Sequence, residues 1–185
     1  MIRKFTLILS AALTMSLTVF AQPTFAADAG EHNPEELSLA YFAEKIESGR
    51  IGPMASMHAY IAAKHGDNDT ARRLFEILAE RGDVPSMTWM AWLCDNGLGG
   101  PESAEAAAKW DRRAMLTGDS IGTLNYGLDL LRGRGVQKNV AEGRRLIDRA
   151  AALGDGTAKL LKASDYNLDV VTPDADNWKY NPYFF

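Results

Sequence analysis

The sequence predicts an all-α fold of helix pairs stacked side by side, on three observations. The dipeptide Gly-Asp stands at Gly82-Asp83, Gly118-Asp119 and Gly154-Asp155, at steps of 118 − 82 = 36 and 154 − 118 = 36 residues. A fixed period of this size marks a repeat architecture, in which each unit covers its apolar face with the next unit. Small and apolar residues recur at three- and four-residue steps from Val84 to Asn96 and from Glu102 to Thr117, the spacing that gathers them on one side of a helix. Glycines close both stretches, and the same step carries Gly97 to Gly133, Gly99 to Gly135, Trp110 to Leu146, Ala114 to Ala150, and Ser86 to Gly122 and then Ala158.

At the N-terminus, Ile2-Arg3-Lys4 is a short cationic segment and Phe5 to Phe20 a charge-free apolar run. Thr24-Phe25-Ala26 offers the small residues a signal peptidase reads, so residues 1–26 are expected to be a secretory signal cleaved after Ala26. The run is near the short limit for crossing ~30 Å of hydrocarbon. No stable membrane insertion is therefore expected after cleavage, and the mature chain is expected to be periplasmic or secreted. Within residues 27–51, Asn33-Pro34-Glu35-Glu36 followed by an apolar stripe to Ser48 predicts an N-terminal helix that covers the end of the stack.

The unit opening at Gly82 has its first helix over Val84 to Asn96, and Pro101 suits the first position of its second helix because its φ is already helical. In the next unit the first helix runs from Ser120 to Arg132 and stops at Gly133-Arg134-Gly135, where glycine can take a positive φ. Asn139 starts the second helix. Its side chain can cap free amides, and Glu142 can reach back to complete a capping box. Ser86, Ala91, Gly122, Gly127, Ala114 and Ala150 present little side chain to a facing backbone. Gly127 costs about 1 kcal/mol relative to alanine inside a helix, so close packing is expected there.

The run from Gly118 to Gly154, with Asn125, Tyr126-Gly127, Gly133-Arg134-Gly135-Val136, Ala141 and Ala150-Ala151, resembles a Sel1-like repeat, a tetratricopeptide-like unit. Gly82 to Gly118 is similar but looser, with Gly100 where the next unit has Val136. Ala71-Arg72-Arg73-Leu74 to Gly82 matches a second helix, its partner being Pro53 to His65 across a shorter loop at Gly66-Asp67. Ala158 to Tyr166 matches the first helix of a unit left incomplete. The resemblance covers residues 52–166 and implies an α/α superhelix, a solenoid of helix-turn-helix repeats that serves as a protein–protein interaction scaffold, often in the bacterial envelope or secretory pathway. Some exported relatives cross-link each helix pair through paired cysteines. This chain has one cysteine, Cys94, so its stability is expected from helix packing, with Cys94 a small apolar helix residue.

Loss of Arg3 and Lys4 with the signal takes the net charge from −4 to −6. An acidic chain is a poor ligand for nucleic acid, which rewards a basic patch; the partner expected is a protein. If the first helices line the concave side, as in the family, their exposed stripe is the candidate partner surface. It comprises Trp89, Leu93 and Asn96 in one unit and Asn125, Asp129 and Arg132 in the next, each set spaced i, i+4, i+7. Residues 167–185 break the pattern with Pro173, Pro182, Trp178, Tyr180, Tyr183, Phe184 and Phe185. This aromatic tail is expected either to fold over the apolar end of the last repeat or to dock on another protein.

Gly118-Asp119-Ser120-Ile121-Gly122 formally matches a nucleophile elbow, but that motif needs a preceding strand and a later histidine, whereas His32, His58 and His65 all precede Ser120. The S-x-x-K, H-E-x-x-H, C-x-x-C and phosphate-loop signatures are absent from residues 27–185. His58 and His65 can share a helix face but lack a third ligand, and Asp67-Asn68-Asp69 reads as a polar turn and helix cap rather than a calcium loop. No catalytic residue, metal or cofactor is expected. The leading expectation is an exported scaffold acting as adaptor, regulator or inhibitor. The alternative is an envelope hydrolase acting on cell-wall or β-lactam-like substrates, suggested by the cysteine-rich relatives alone.

Overall fold

Each helix of the stack from α3 onward begins at a polar side chain that accepts one of the helix's otherwise unpaired amides. The computed structural model describes residues 38–171. Among these, the helices are α1 (Leu39–Glu47), α2 (Ala55–Lys64), α3 (Asn68–Glu80), α4 (Val84–Asn96), α5 (Ala104–Leu116), α6 (Ser120–Arg132), α7 (Val140–Ala152) and α8 (Gly156–Ala163), followed by a 3-10 turn at Leu168–Val170. The described residues contain no strand. Each helix packs on its neighbours in the chain, and α1 also packs on α3. The fold is an all-α solenoid of helix pairs. The expected signal at 1–26 and the tail aromatics Trp178, Tyr180, Tyr183, Phe184 and Phe185 lie outside the described residues.

The repeated Gly-Asp is a joint. Gly82, Gly118 and Gly154 take φ of +95°, +89° and +105°, a left-handed turn open to a residue without Cβ, which ends one helix. The next residue starts another. Asp83 accepts from Ser86 N at 3.0 Å, Asp119 from Gly122 N at 2.7 Å and Asp155 from Ala158 N at 2.7 Å. Gly66-Asp67, which falls off the step, makes the same joint between α2 and α3, with Asp67 accepting from Thr70 N at 3.1 Å. The carboxylates also sit at the positive end of the helix dipole. Asp119→Ala is expected to lower stability by about 1 kcal/mol in denaturant unfolding, and Asp119→Asn to lower it much less.

Two sequence expectations about helix starts are corrected. Helix α5 begins at Ala104, not at Pro101, because Ser103 caps it by accepting from Ala106 N at 3.1 Å. Ser103 is the counterpart of Asn139 one step on, 139 − 103 = 36, and Pro101 lies in the loop before it. The capping box at Asn139 is half formed. Asn139 accepts from Glu142 N at 3.1 Å, but two Arg145 nitrogens hold the Glu142 carboxylate at 2.6 and 2.7 Å. The Asn139 amide donates instead to Leu130 O at 2.9 Å. A guanidinium is a stronger donor than a neutral amide that already has a partner.

Neighbouring units are stitched at their loops. A Cβ on Gly135 (φ +64°) would fall on the carbonyl oxygen of Ala104, and one on Gly99 would fall on that of Asn68. Since 104 − 68 = 36 and 135 − 99 = 36, this is one contact made twice: the loop inside a unit presses on the first turn of the preceding unit's second helix. Within a unit, α6 and α7 approach at Gly127, where a Cβ would lie 3.2 Å from Gly143 O, Leu146 Cβ and Ile147 Cδ1.

Between these contacts the core is hydrocarbon in two clusters, with Leu74, Phe75, Met90 and Leu93 fully buried in one and Ile147 and Leu161 in the other. Arg72 crosses the seam between α3 and α4, donating to Leu98 O at 3.2 Å and to Cys94 Sγ at 3.3 Å. Gly100 leaves room for that guanidinium, and burial raises the Cys94 thiol pKa. Arg113 joins α5 to α3 through both carboxylate oxygens of Glu80, at 2.7 and 3.1 Å.

Candidate functional site

Comparison of the units at the 36-residue step shows where the chain departs from its own pattern. Asp129 stands one step from Leu93, Asp95 one step from Leu131, and Asp111 one step from both Phe75 and Ile147. Those four hydrophobic residues are all buried. An aspartate in such a place gives up apolar burial of about 1.5–3 kcal/mol and adds the desolvation of a polar group. Local rules broken together in one region are expected at functional sites.

The three aspartates meet in a groove of about 260 Å³ walled by α4 and α6, with Asp111 contributed by α5 and Arg134 by the loop after α6. Asn125 donates from Nδ2 to Asp111 Oδ1 at 3.0 Å. Arg134 pairs with Asp95 at 3.3 Å, and Asn96 Nδ2 donates to the Trp92 carbonyl at 2.9 Å. The Trp89 ring stacks parallel on Phe75, with centroids 5.4 Å apart, and meets Trp92 edge-on at 5.2 Å. One aromatic run thus links core to groove.

Asp129 is the least provided for. Its residue is 9 % exposed, and its Oδ2 is buried with no hydrogen-bond partner among the described residues, as is Trp92 Nε1. Burial, then the charges of Asp111 and Asp95, push its carboxyl up to about 8, against the opposing pull of Arg134 and Arg132. At neutral pH this side chain is mostly protonated.

Of the six helix residues singled out from the sequence, Trp89, Asn96, Asn125, Asp129 and Arg132 line this groove. Leu93 does not: it is 0 % exposed and belongs to the core. The groove lies between α4 and α6, so α4 presents Thr88, Trp92 and Asp95 to it, and Leu93 falls on the packed side. Sequence periodicity missed Trp92, Asp95, Asp111 and Arg134. For the two aspartates a signal was present, namely acids at positions filled by leucine, isoleucine or phenylalanine one step away.

Ser120 is the first residue of α6 and follows a helix and a glycine turn, so the strand-to-helix geometry of a nucleophile elbow is not present there. His58 stacks on Phe42 at 3.7 Å. Among the described residues no group of three His, Cys, Asp or Glu side chains can hold a metal ion, and no helix is long and apolar enough to cross a membrane.

No family model matches the sequence, and no curated protein is significantly similar to it. Solved structures are similar in fold. A Sel1 repeat protein from Oxalobacter formigenes superposes with a TM-score of 0.56 at 21 % identity, over 63 % of this chain and 47 % of that one. Helicobacter pylori cysteine rich protein B gives 0.55 at 16 % identity, over 69 % of this chain and 92 % of that one. A protective antigen of uropathogenic Escherichia coli with an SLR fold gives 0.51 at 19 % identity, over 78 % of this chain and 35 % of that one. The chain thus spans about half the length of the first of these and about a third of the last. A 36-residue helix pair, glycine joints between pairs and these superpositions agree: this protein has the Sel1-like repeat fold.

Proposed function

We propose that this chain is an exported scaffold of the bacterial envelope that binds a protein partner through the groove between α4 and α6, as an adaptor, regulator or inhibitor. The single observation that carries the reading is the groove itself, where aspartates occupy positions that neighbouring units give to buried hydrocarbon. Its two tryptophans add the aromatic surface that anchors many protein interfaces. Export is supported by the cationic, apolar and small-residue order of residues 1–26.

The test is capture from envelope extract, followed by reconstitution with the identified partner in pure form. Ile121, exposed at the groove's rim, offers a variant that leaves the core alone. Ile121→Glu and Asn125→Ala are each expected to weaken the reconstituted complex at least tenfold while the helical circular dichroism stays unchanged. A partner held equally by both variants, or turnover of a cell-wall substrate by the pure protein, would defeat the proposal.

A further inference from the structure

We infer that the groove seats a basic side chain of the partner, a lysine ammonium or arginine guanidinium, with its charge against Asp129 and its stem along Trp92 and Trp89. This rests on the reading of the groove as a protein-binding surface and deepens it by naming what the partner brings.

Asp129 has an unmet hydrogen bond. Asp129 is 9 % exposed and faces the groove, and its buried Oδ2 accepts from no described residue. A buried acceptor without a donor is rare in folded proteins and calls for an explanation. What it lacks is a hydrogen-bond partner, and in its ionised form that partner is an N–H donor arriving from outside.

The charges in the groove favour a cation. Around Asp129 stand Asp95 from α4, Asp111 from α5, Arg132 from its own helix and Arg134 from the following loop. Three carboxylates thus face two guanidiniums, and Arg134 lies 3.3 Å from Asp95. The carboxylates do not form a group that can hold a metal ion. A monovalent cation brings the three acids and the positive charges into balance, and it lets Asp129 ionise.

The groove's size and lining suit such a side chain. About 260 Å³ falls short of the ~300–1,000 Å³ typical of pockets for whole drug-sized ligands but suits one long side chain entering from the surface. Indole faces favour cations, and the hydrocarbon stem of lysine or arginine packs on apolar surface while its head stays polar.

The experiment uses the full chain and the probe Nα-acetyl-lysine-N-methylamide, followed by tryptophan fluorescence and by the indole N–H resonances. The Nε-acetylated probe, uncharged but of similar length, is the control. Lysine keeps its proton through pH 9, whereas Asp129 titrates near 8, so the charged probe is expected to bind about tenfold more tightly at pH 9 than at pH 7. Asp129→Asn is expected to weaken binding at least tenfold and to remove that pH dependence, with the helical signal intact. No saturable binding of the lysine probe, equal binding of the acetylated control, or unchanged binding by Asp129→Asn overturns the inference. A partner retained while the lysine probe fails sinks this inference alone. A lysine probe that binds where no protein partner is found keeps the cation site in the groove and sinks the scaffold reading.

Discussion

Gly135→Ala is expected to destabilise the protein by about 3–5 kcal/mol, near the top of the range for single substitutions. Two effects add. The backbone is in the left-handed region at φ +64°, which costs an L-residue roughly 1–2 kcal/mol. The new Cβ would also fall on the Ala104 carbonyl oxygen and lie 2.9 Å from Glu105 N. Those are backbone atoms of the first turn of α5, so they cannot swing aside as a side chain can. Either the loop lifts away or the turn shifts, and both open the seam between two units. Gly82→Ala separates the terms, because Gly82 has φ +95° with nothing within 4 Å of a Cβ placed there. It should cost about 1–2 kcal/mol, and the difference between the two variants in urea unfolding measures the stitch. Equal costs would show that the loop does not bear on the preceding helix.

Stability is expected to fall as the pH rises from about 5 to 8 and then to level off, and Asp129→Leu is expected to remove most of that fall. In the folded chain Asp129 keeps its proton to about pH 8, whereas an unfolded aspartate loses it near 3.9. Between those values the folded state binds more protons than the unfolded state, so each step up in pH favours unfolding, by at most about 1.4 kcal/mol per unit. The exposed acids work the other way and at lower pH. Arg113 holds Glu80 below its ordinary value, Arg145 does so for Glu142, and Lys162 together with Tyr166 does so for Asp148. Their contribution is present above the usual carboxylate range and is lost as the pH falls through it. Greatest stability near pH 5 follows. Leucine at 129 restores what the chain carries one step earlier, at Leu93, and should leave the variant more stable than the parent at pH 9. A parent protein equally stable at pH 5 and pH 9 would refute a buried, unpaired Asp129.

Much of this was legible in the sequence because the repeat writes the same physical constraint several times. The first helices at Val84–Asn96 and Ser120–Arg132 lie where the glycine punctuation puts them, since a left-handed turn and an aspartate cap leave few choices. The start of α5 was misplaced because Pro101 and Ser103 both suit a helix start, and which one acts depends on a hydroxyl reaching Ala106 N. The Glu142 half of the capping box was lost to a competitor, Arg145, that local spacing does not rank. In the groove, periodicity located α6 well, since Asn125, Asp129 and Arg132 share one stripe. On α4 it took Leu93 for a surface residue, because a helix apolar on several sides gives no period from which to choose a face. Asp111 lies on α5, and its approach to Asn125 at 3.0 Å is a product of tertiary packing.

Arg72 and Gly100 bear on whether the units are interchangeable. A Cβ at position 100 would lie 2.9 Å from the Arg72 guanidinium carbon, so the guanidinium that bonds Leu98 and Cys94 would have to shift. One step further on, the corresponding residues are Ala108 and Val136, with bulk and space exchanged. Each module therefore carries an address. Shuffled copies would meet mismatched neighbours, so the order of units is enforced by side-chain volume at the seams as well as by the chain that links them.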